Sequence, residues 1–172
     1  MAEAGTLHDA FIDELRDTYD AEKQLIKALP KMAQAASSRE LRAAFKSHLQ
    51  ETKGQVKRLK EAFASLDERP RGKHCEGIAG ILKEGKAVMG EDFEKNAMDA
   101  ALIASAQRVE HYEMAAYGTL VAWAKAMGHT KAARLLQQNL NEEGKADKKL
   151  NSLAMRGGIN RRAAEIAHPD GE

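Results

Sequence analysis

The chain has 172 residues, with 27 lysines and arginines against 26 aspartates and glutamates. That balance gives no electrostatic reason to bind nucleic acid or an acidic membrane surface, and a single cysteine excludes an internal disulfide or a Cys-x-x-Cys metal knuckle. No apolar run approaches the ~18 residues of a membrane span, and the N-terminus lacks a signal-peptide core, so the expectation is an intracellular protein. Hydrophobic residues make up 43% without strand-like alternation, which predicts one all-α domain, a helical bundle with room for a real core.

The first predicted helix runs from about Leu7 to Ala36, with Thr6 and Asp9 spaced as a capping box. Its stripe is Leu7, Phe11, Leu15, Thr18, Glu22, Leu25, Leu29 and Met32, and one member is a glutamate. Pro30 is expected to kink the last turns, because it removes a backbone donor. The second helix covers about Arg39 to Leu66, with Ser37 and Glu40 as its capping pair. Its stripe turns polar in the middle, where His48, Glu51 and Gln55 share a side.

A long connection follows, about Asp67 to Lys95, broken by Arg69-Pro70-Arg71-Gly72. Ile78, Ile81, Leu82 and Val88 predict a short amphipathic helix within Cys75–Met89, ended by Gly90. Such a connection can run the length of a bundle, so that the long helices on either side of it lie parallel. The third long helix opens near Asn96 as cap and stops at Gly128; Met98, Ala101, Leu102, Val109, Tyr112, Ala116, Leu120 and Trp123 mark its apolar face. The fourth runs from about Lys131 to Met155 and ends at Arg156-Gly157-Gly158. Residues 1–158 thus form the expected bundle, and 159–172 a polar tail, disordered in part or loosely docked.

Each long helix carries a carboxylate on or beside its apolar stripe near mid-helix: Glu22, Glu51, the pair Glu110 and Glu113, and the pair Glu143 and Asp147. In an antiparallel bundle mid-helix positions meet at one level. Six carboxylates there would repel, and most would have to take protons. Two divalent cations remove that repulsion, and an oxygen-rich donor set suits iron or manganese better than copper or zinc. Bridging glutamates hold such ions about 3.5–4 Å apart. His48, three before Glu51 and on its face, is a candidate nitrogen ligand or else a hydrogen-bonded core histidine. Single glutamates on helices are most often solvated, a reading that weighs most on Glu51, Glu110 and Glu142. His111 points away from Glu113. Tyr19, Tyr112 and Tyr117 read as core, with Tyr112 bordering the site, and Cys75 as a small packing residue.

Tyr19-Asp20-Ala21-Glu22-Lys23-Gln24-Leu25, His48-Leu49-Gln50-Glu51-Thr52, Val109-Glu110-His111-Tyr112-Glu113 and Glu142-Glu143 followed by Asp147-Lys148-Lys149-Leu150 resemble the YciF-type bacterial stress proteins, a branch of the ferritin-like superfamily, from about Leu7 to Leu153. The resemblance implies a ferritin-like four-helix bundle with a long crossover containing a short helix between the second and third long helices. It also implies a homodimer in the bacterial cytoplasm, induced under stress. The wider superfamily uses Glu-x-x-His on the second and fourth helices. Here Gly54 and Ala146 stand at the histidine positions, while Glu110 with Glu113 resembles the rubrerythrin arrangement. Metal binding remains expected, with His48 supplying nitrogen from the opposite side of Glu51.

The function expected is a dinuclear site, iron ahead of manganese, held by Glu22, His48, Glu51, Glu110, Glu113, Glu143 and Asp147, oxidising ferrous ion or reducing peroxide. Its electrons would come from an external donor, since a rubredoxin-like module needs four cysteines. The alternative is a non-enzymatic metal-binding or structural dimeric stress protein with a vestigial site, its carboxylates paired with cations such as Lys23, Lys53 and Arg108. A DNA-protecting cage is disfavoured by the balanced charge.

Overall fold

A computed structural model of the protein describes residues 4–166. The chain forms α1 (Leu7–Ala35), α2 (Arg39–Ser65), α3 (Glu76–Met89), α4 (Lys95–Ala126), α5 (Thr130–Met155) and α6 (Ile159–Ile166), with no strand among the described residues. The four long helices are the ones predicted, to within a residue or two at each end.

Two apolar layers close the ends of the bundle. At one end Phe11 and Leu15 of α1 meet Leu59 and Phe63 of α2, Tyr117 and Leu120 of α4, and Leu136 of α5. At the other, Leu29 and Met32 meet Leu41, Phe45, Leu102 and Leu150. The start of α1 therefore lies beside the ends of α2 and α4 and the start of α5. Helices α1 and α5 run one way, α2 and α4 the other. Since α1 packs on α2 and α4, and α5 packs on the same two, every neighbouring pair is antiparallel. This up-down-down-up order needs a crossover between the parallel α2 and α4, as expected from the long connection.

The crossover carries α3, which lies over α1 and α4. Ile78 and Cys75 are fully buried there against Ala21, Leu25 and Val109. Gly77 permits this seat, because a Cβ at that position would lie 2.6 Å from the Tyr112 ring. The α4–α5 reversal uses Gly128 at φ 77°, which costs a residue without Cβ nothing.

The capping box of Thr6 and Asp9 is present. Helix α1 continues unbroken through Pro30, whose ring is exposed. The other two caps differ from expectation. Ser38, one residue later than Ser37, accepts from the Leu41 amide, because the buried Asp99 of α4 takes the amides of Ser37 (2.7 Å) and Ser38 (2.8 Å) and sets where α2 begins. Glu94 caps α4, accepting from the Asn96 amide that had been assigned the capping role. The segment read as a polar tail is also helical where it is described: α6 packs on α4 and α5, anchored by Ile159, which is 1% exposed. Residues 167–172 of that tail lie outside the described residues.

Candidate metal centre

Between the two apolar layers the core is polar. Glu22 of α1, His48 of α2, Glu110 and Glu113 of α4 and Glu143 of α5 are all buried, the carboxylates at 0–2% exposure. Their burial follows from helix period. Glu22 stands one turn below Leu25 and one above Thr18; Glu113 stands one turn above Val109 and one below Ala116. Glu110 is not on that row. It is buried because it faces His48 of α2 and Glu143 of α5.

The side chains form two trios that share one member. Ligand atoms of His48, Glu110 and Glu143 lie within 4.8 Å of one another, and so do those of Glu22, Glu113 and Glu143. His48 Nε2 is 3.1 Å from Glu110 Oε1 and 3.6 Å from Glu143 Oε2. Nδ1 of the same ring lies 3.1 Å from Glu51 Oε2. A carboxylate only accepts, so Nδ1 carries the proton in that bond, and Nε2, which faces Glu110, is the ring nitrogen that would offer its lone pair to an ion in the cluster.

Many of these atoms have no partner. Glu22 Oε2, His48 Nε2, Glu110 Oε2, both oxygens of Glu113 and Glu143 Oε2 are buried without a hydrogen bond. Leaving buried polar groups unpaired costs about 1–3 kcal/mol each, and buried carboxylates more, so native proteins place partners or ions there. Among the described residues no lysine or arginine lies within 4 Å of these four glutamates, and His48 is their one basic neighbour. Lys23, Lys53 and Arg108, the cations of the vestigial-site reading, are exposed, and Lys23 sits over the Tyr19 ring instead.

Electrostatics reflect the crowding. Burial pushes Glu22 up to about 7, against the lowering effect of the Tyr117 hydrogen bond. Burial and then the charge of Glu22 push Glu113 well above the carboxylate range. Burial and then Glu110 do the same to Glu143. Glu110 moves the other way: burial alone would raise it, but Glu143 and His48 beside it outweigh burial and hold it low. Burial would likewise lower His48, yet Glu110 and Glu51 lift it well above its ordinary value. Without an ion, burial and the neighbouring carboxylates therefore favour the protonated forms of Glu113 and Glu143.

Of the seven residues picked as ligands, the fold brings together Glu22, His48, Glu110, Glu113 and Glu143. It does not bring Glu51 or Asp147 into the cluster. Glu51 has a 41% exposed side chain and reaches only the outer face of His48. Asp147, a turn beyond Glu143, is turned aside to His111 Nε2 (3.2 Å) and Gln107 Nε2 (3.3 Å).

Three polar residues not picked as site residues surround the cluster. Gln55 Nε2 donates to Glu143 Oε1 at 2.5 Å. The buried Tyr117 hydroxyl donates to Glu22 Oε1, and Asn139 Nδ2 donates to the Tyr117 oxygen at 3.1 Å. Asn139 Oδ1 accepts from Arg58, which also pairs with Glu142. A signal existed for two of them: Gln55 and Asn139 are amides among apolar positions of their helices, which calls for a buried partner. Tyr112, expected to border the site, faces the other way, with its hydroxyl 3.2 Å from Cys75 Sγ and 3.4 Å from Asp17. Cys75 is a buried free thiol capping α3, raised by burial to about 11, as befits a packing residue.

Comparisons with known proteins bear on the family and the fold. The family model described as a domain of unknown function, DUF892, matches residues 6–164. Protein YciF of Escherichia coli K12 is 46% identical over 164 residues, 94% of this chain and 98% of that protein. The crystal structure of the E. coli stress protein YciF superposes with a TM-score of 0.88 at 42% identity, covering 92% of this chain and 99% of that one. YcfI of Rhodopseudomonas palustris gives 0.86 at 47% identity, covering 88% and 96%. A Xanthomonas campestris protein at 18% identity and TM-score 0.69, covering 92% and 99%, shares the fold. No helix among the described residues is long and apolar enough to cross a membrane. With the family model spanning nearly the whole chain and this degree of identity to YciF, the chain belongs to the DUF892 family of YciF-like stress proteins.

Proposed function

We propose that this is a ferritin-like stress-response protein whose bundle core holds two divalent metal ions, iron ahead of manganese, and that it oxidises ferrous ion or reduces peroxide. The observation that carries the reading is the pair of buried trios sharing Glu143, with unpartnered oxygens and a ring nitrogen facing inward and no lysine or arginine to neutralise them. Oxygen donors with one imidazole suit iron and manganese. Glu22 and Glu113 would hold one ion, His48 and Glu110 the other, with Glu143 common to both. Bound there, the two ions supply one-electron redox steps at adjacent centres. Gln55 and Tyr117 orient Glu143 and Glu22, and the apolar layers above and below close the two ends of the cluster to water. A cytoplasmic homodimer and an external electron donor complete the proposal; the single cysteine provides no iron–sulfur or rubredoxin-type centre.

The test is metal content of protein purified without chelator, alongside Glu113→Ala. About two iron or manganese ions per chain, lost in the variant, are expected from a dinuclear site, together with metal-dependent turnover of peroxide or ferrous ion. Absence of metal after reconstitution with ferrous and manganous ion would leave the carboxylates structural and favour the non-enzymatic alternative.

A further inference from the structure

The two trios differ in their access to solvent. A cleft of about 500 Å³ opens between α2 and α5, with Ala43, Ala44 and Phe45 on one wall and Ala146 and Leu150 on the other. Its buried lining residues are His48 and Glu110 beside Phe45 and Leu150. It therefore reaches the His48–Glu110–Glu143 trio. Glu22 and Glu113, at 0–1% exposure, do not line this cleft. The rim sets Glu40 and Glu51 against Lys145 and Lys149, so it presents no net charge to repel a cation.

We infer that the α2–α5 cleft is the entrance to the cluster for divalent cations. On this inference, which rests on the metal-site reading above, an ion meets the His48–Glu110–Glu143 trio first. The Glu22–Glu113–Glu143 trio fills only by transfer across the shared Glu143. The exposed carboxylate of Glu51, bonded to His48 and standing on the cleft wall, gives an incoming cation its first oxygen. The small side chains of Ala43 and Ala146 keep the passage open.

The experiment is stopped-flow uptake of Mn²⁺ by metal-free protein, following loss of the free-ion paramagnetic signal, with equilibrium stoichiometry measured on the same samples. The variants are Ala43→Leu and Ala146→Leu, on opposite walls. Ala79→Leu is the control, placed in a separate groove along α1 and α3. Both cleft variants are expected to bind as much Mn²⁺ as the parent but about tenfold more slowly, because entry then waits on an opening motion, while the control keeps the parent rate. Ala43 is exposed, so its variant leaves the core undisturbed even if Ala146→Leu does not fold. Parent-like uptake in Ala43→Leu, or slowing only in the α3-side control, would overturn the route while the metal site stands. No Mn²⁺ bound by the parent at equilibrium would overturn the metal site, and the route with it.

Discussion

Where Phe11, Leu15, Phe63 and Leu120 meet, every side chain is apolar, none is exposed, and the layer is complete within the chain. One level along, four carboxylates and an imidazole occupy the same kind of space between the same four helices, and several of their atoms have no partner. The end layers lower the free energy of folding by removing apolar area from water, at about 25 cal/mol per Å². The middle layer raises it, since its buried polar and charged groups cost free energy that the contacts of Gln55, Tyr117 and His48 return only in part. Such a layer persists when the ends supply enough stability to carry it and a ligand completes it. On the proposed reading, the bundle is two apolar closures around a polar centre that an ion would complete.

The largest effect should come from the ends. Phe63→Ala in the completed layer is expected to cost about 3–5 kcal/mol. Urea unfolding should show that loss equally with and without Mn²⁺. A loss that metal abolishes would mean that the ends and the middle are not separable layers.

The middle should answer to pH in the direction opposite to ordinary carboxylates. Glu22 sits at about 7, and Glu113 and Glu143 well above their usual range, while unfolded glutamates titrate near 4.5. Groups raised on folding stabilise fully below the unfolded value and lose that contribution as pH climbs through the folded one. His48, also raised, adds loss in the same direction. Glu110, lowered, acts oppositely, but its change falls below the unfolded carboxylate value. Metal-free protein should therefore melt at lower temperature at pH 8 than at pH 5, each kcal/mol appearing as about 2–4 °C in a chain of this size. Saturating Mn²⁺ should remove the slope, because ligated carboxylates are deprotonated at both values. A melting temperature that rises from pH 5 to pH 8 without metal would contradict the buried-acid description.

The boundary between middle and surface is sharpened by the two carboxylates that the fold leaves outside the cluster. Glu51→Gln keeps a side chain beside His48 Nδ1 but removes the charge that fixes the ring, and should weaken Mn²⁺ binding by about tenfold with stoichiometry unchanged. Asp147→Ala removes only a partner of His111 and Gln107 and should leave affinity within error. Isothermal titration of both variants separates the outcomes; equal effects would place Asp147 nearer the site than its contacts do.

Helix period placed Glu22, Glu113 and Glu143 inward and gave the four long helices, the crossover helix and the first cap. Those properties are local, set by which residues recur every 3.6 positions and which residues end a helix. The sequence alone thus determined an all-α bundle with a polar mid-level. The tertiary structure decided what lies at the edge of each stripe, where a residue is buried or exposed according to its neighbours. Glu110 is buried because His48 of α2 and Glu143 of α5 meet it, whereas Glu51 opens onto the α2–α5 cleft and Asp147 turns to His111. The same cause accounts for the shifted α2 cap at Asp99, for Tyr117 rather than Tyr112 beside the cluster, and for α6 docking through Ile159. Each depends on a contact between residues far apart in the chain, and periodicity along one helix carries no information about what packs against it.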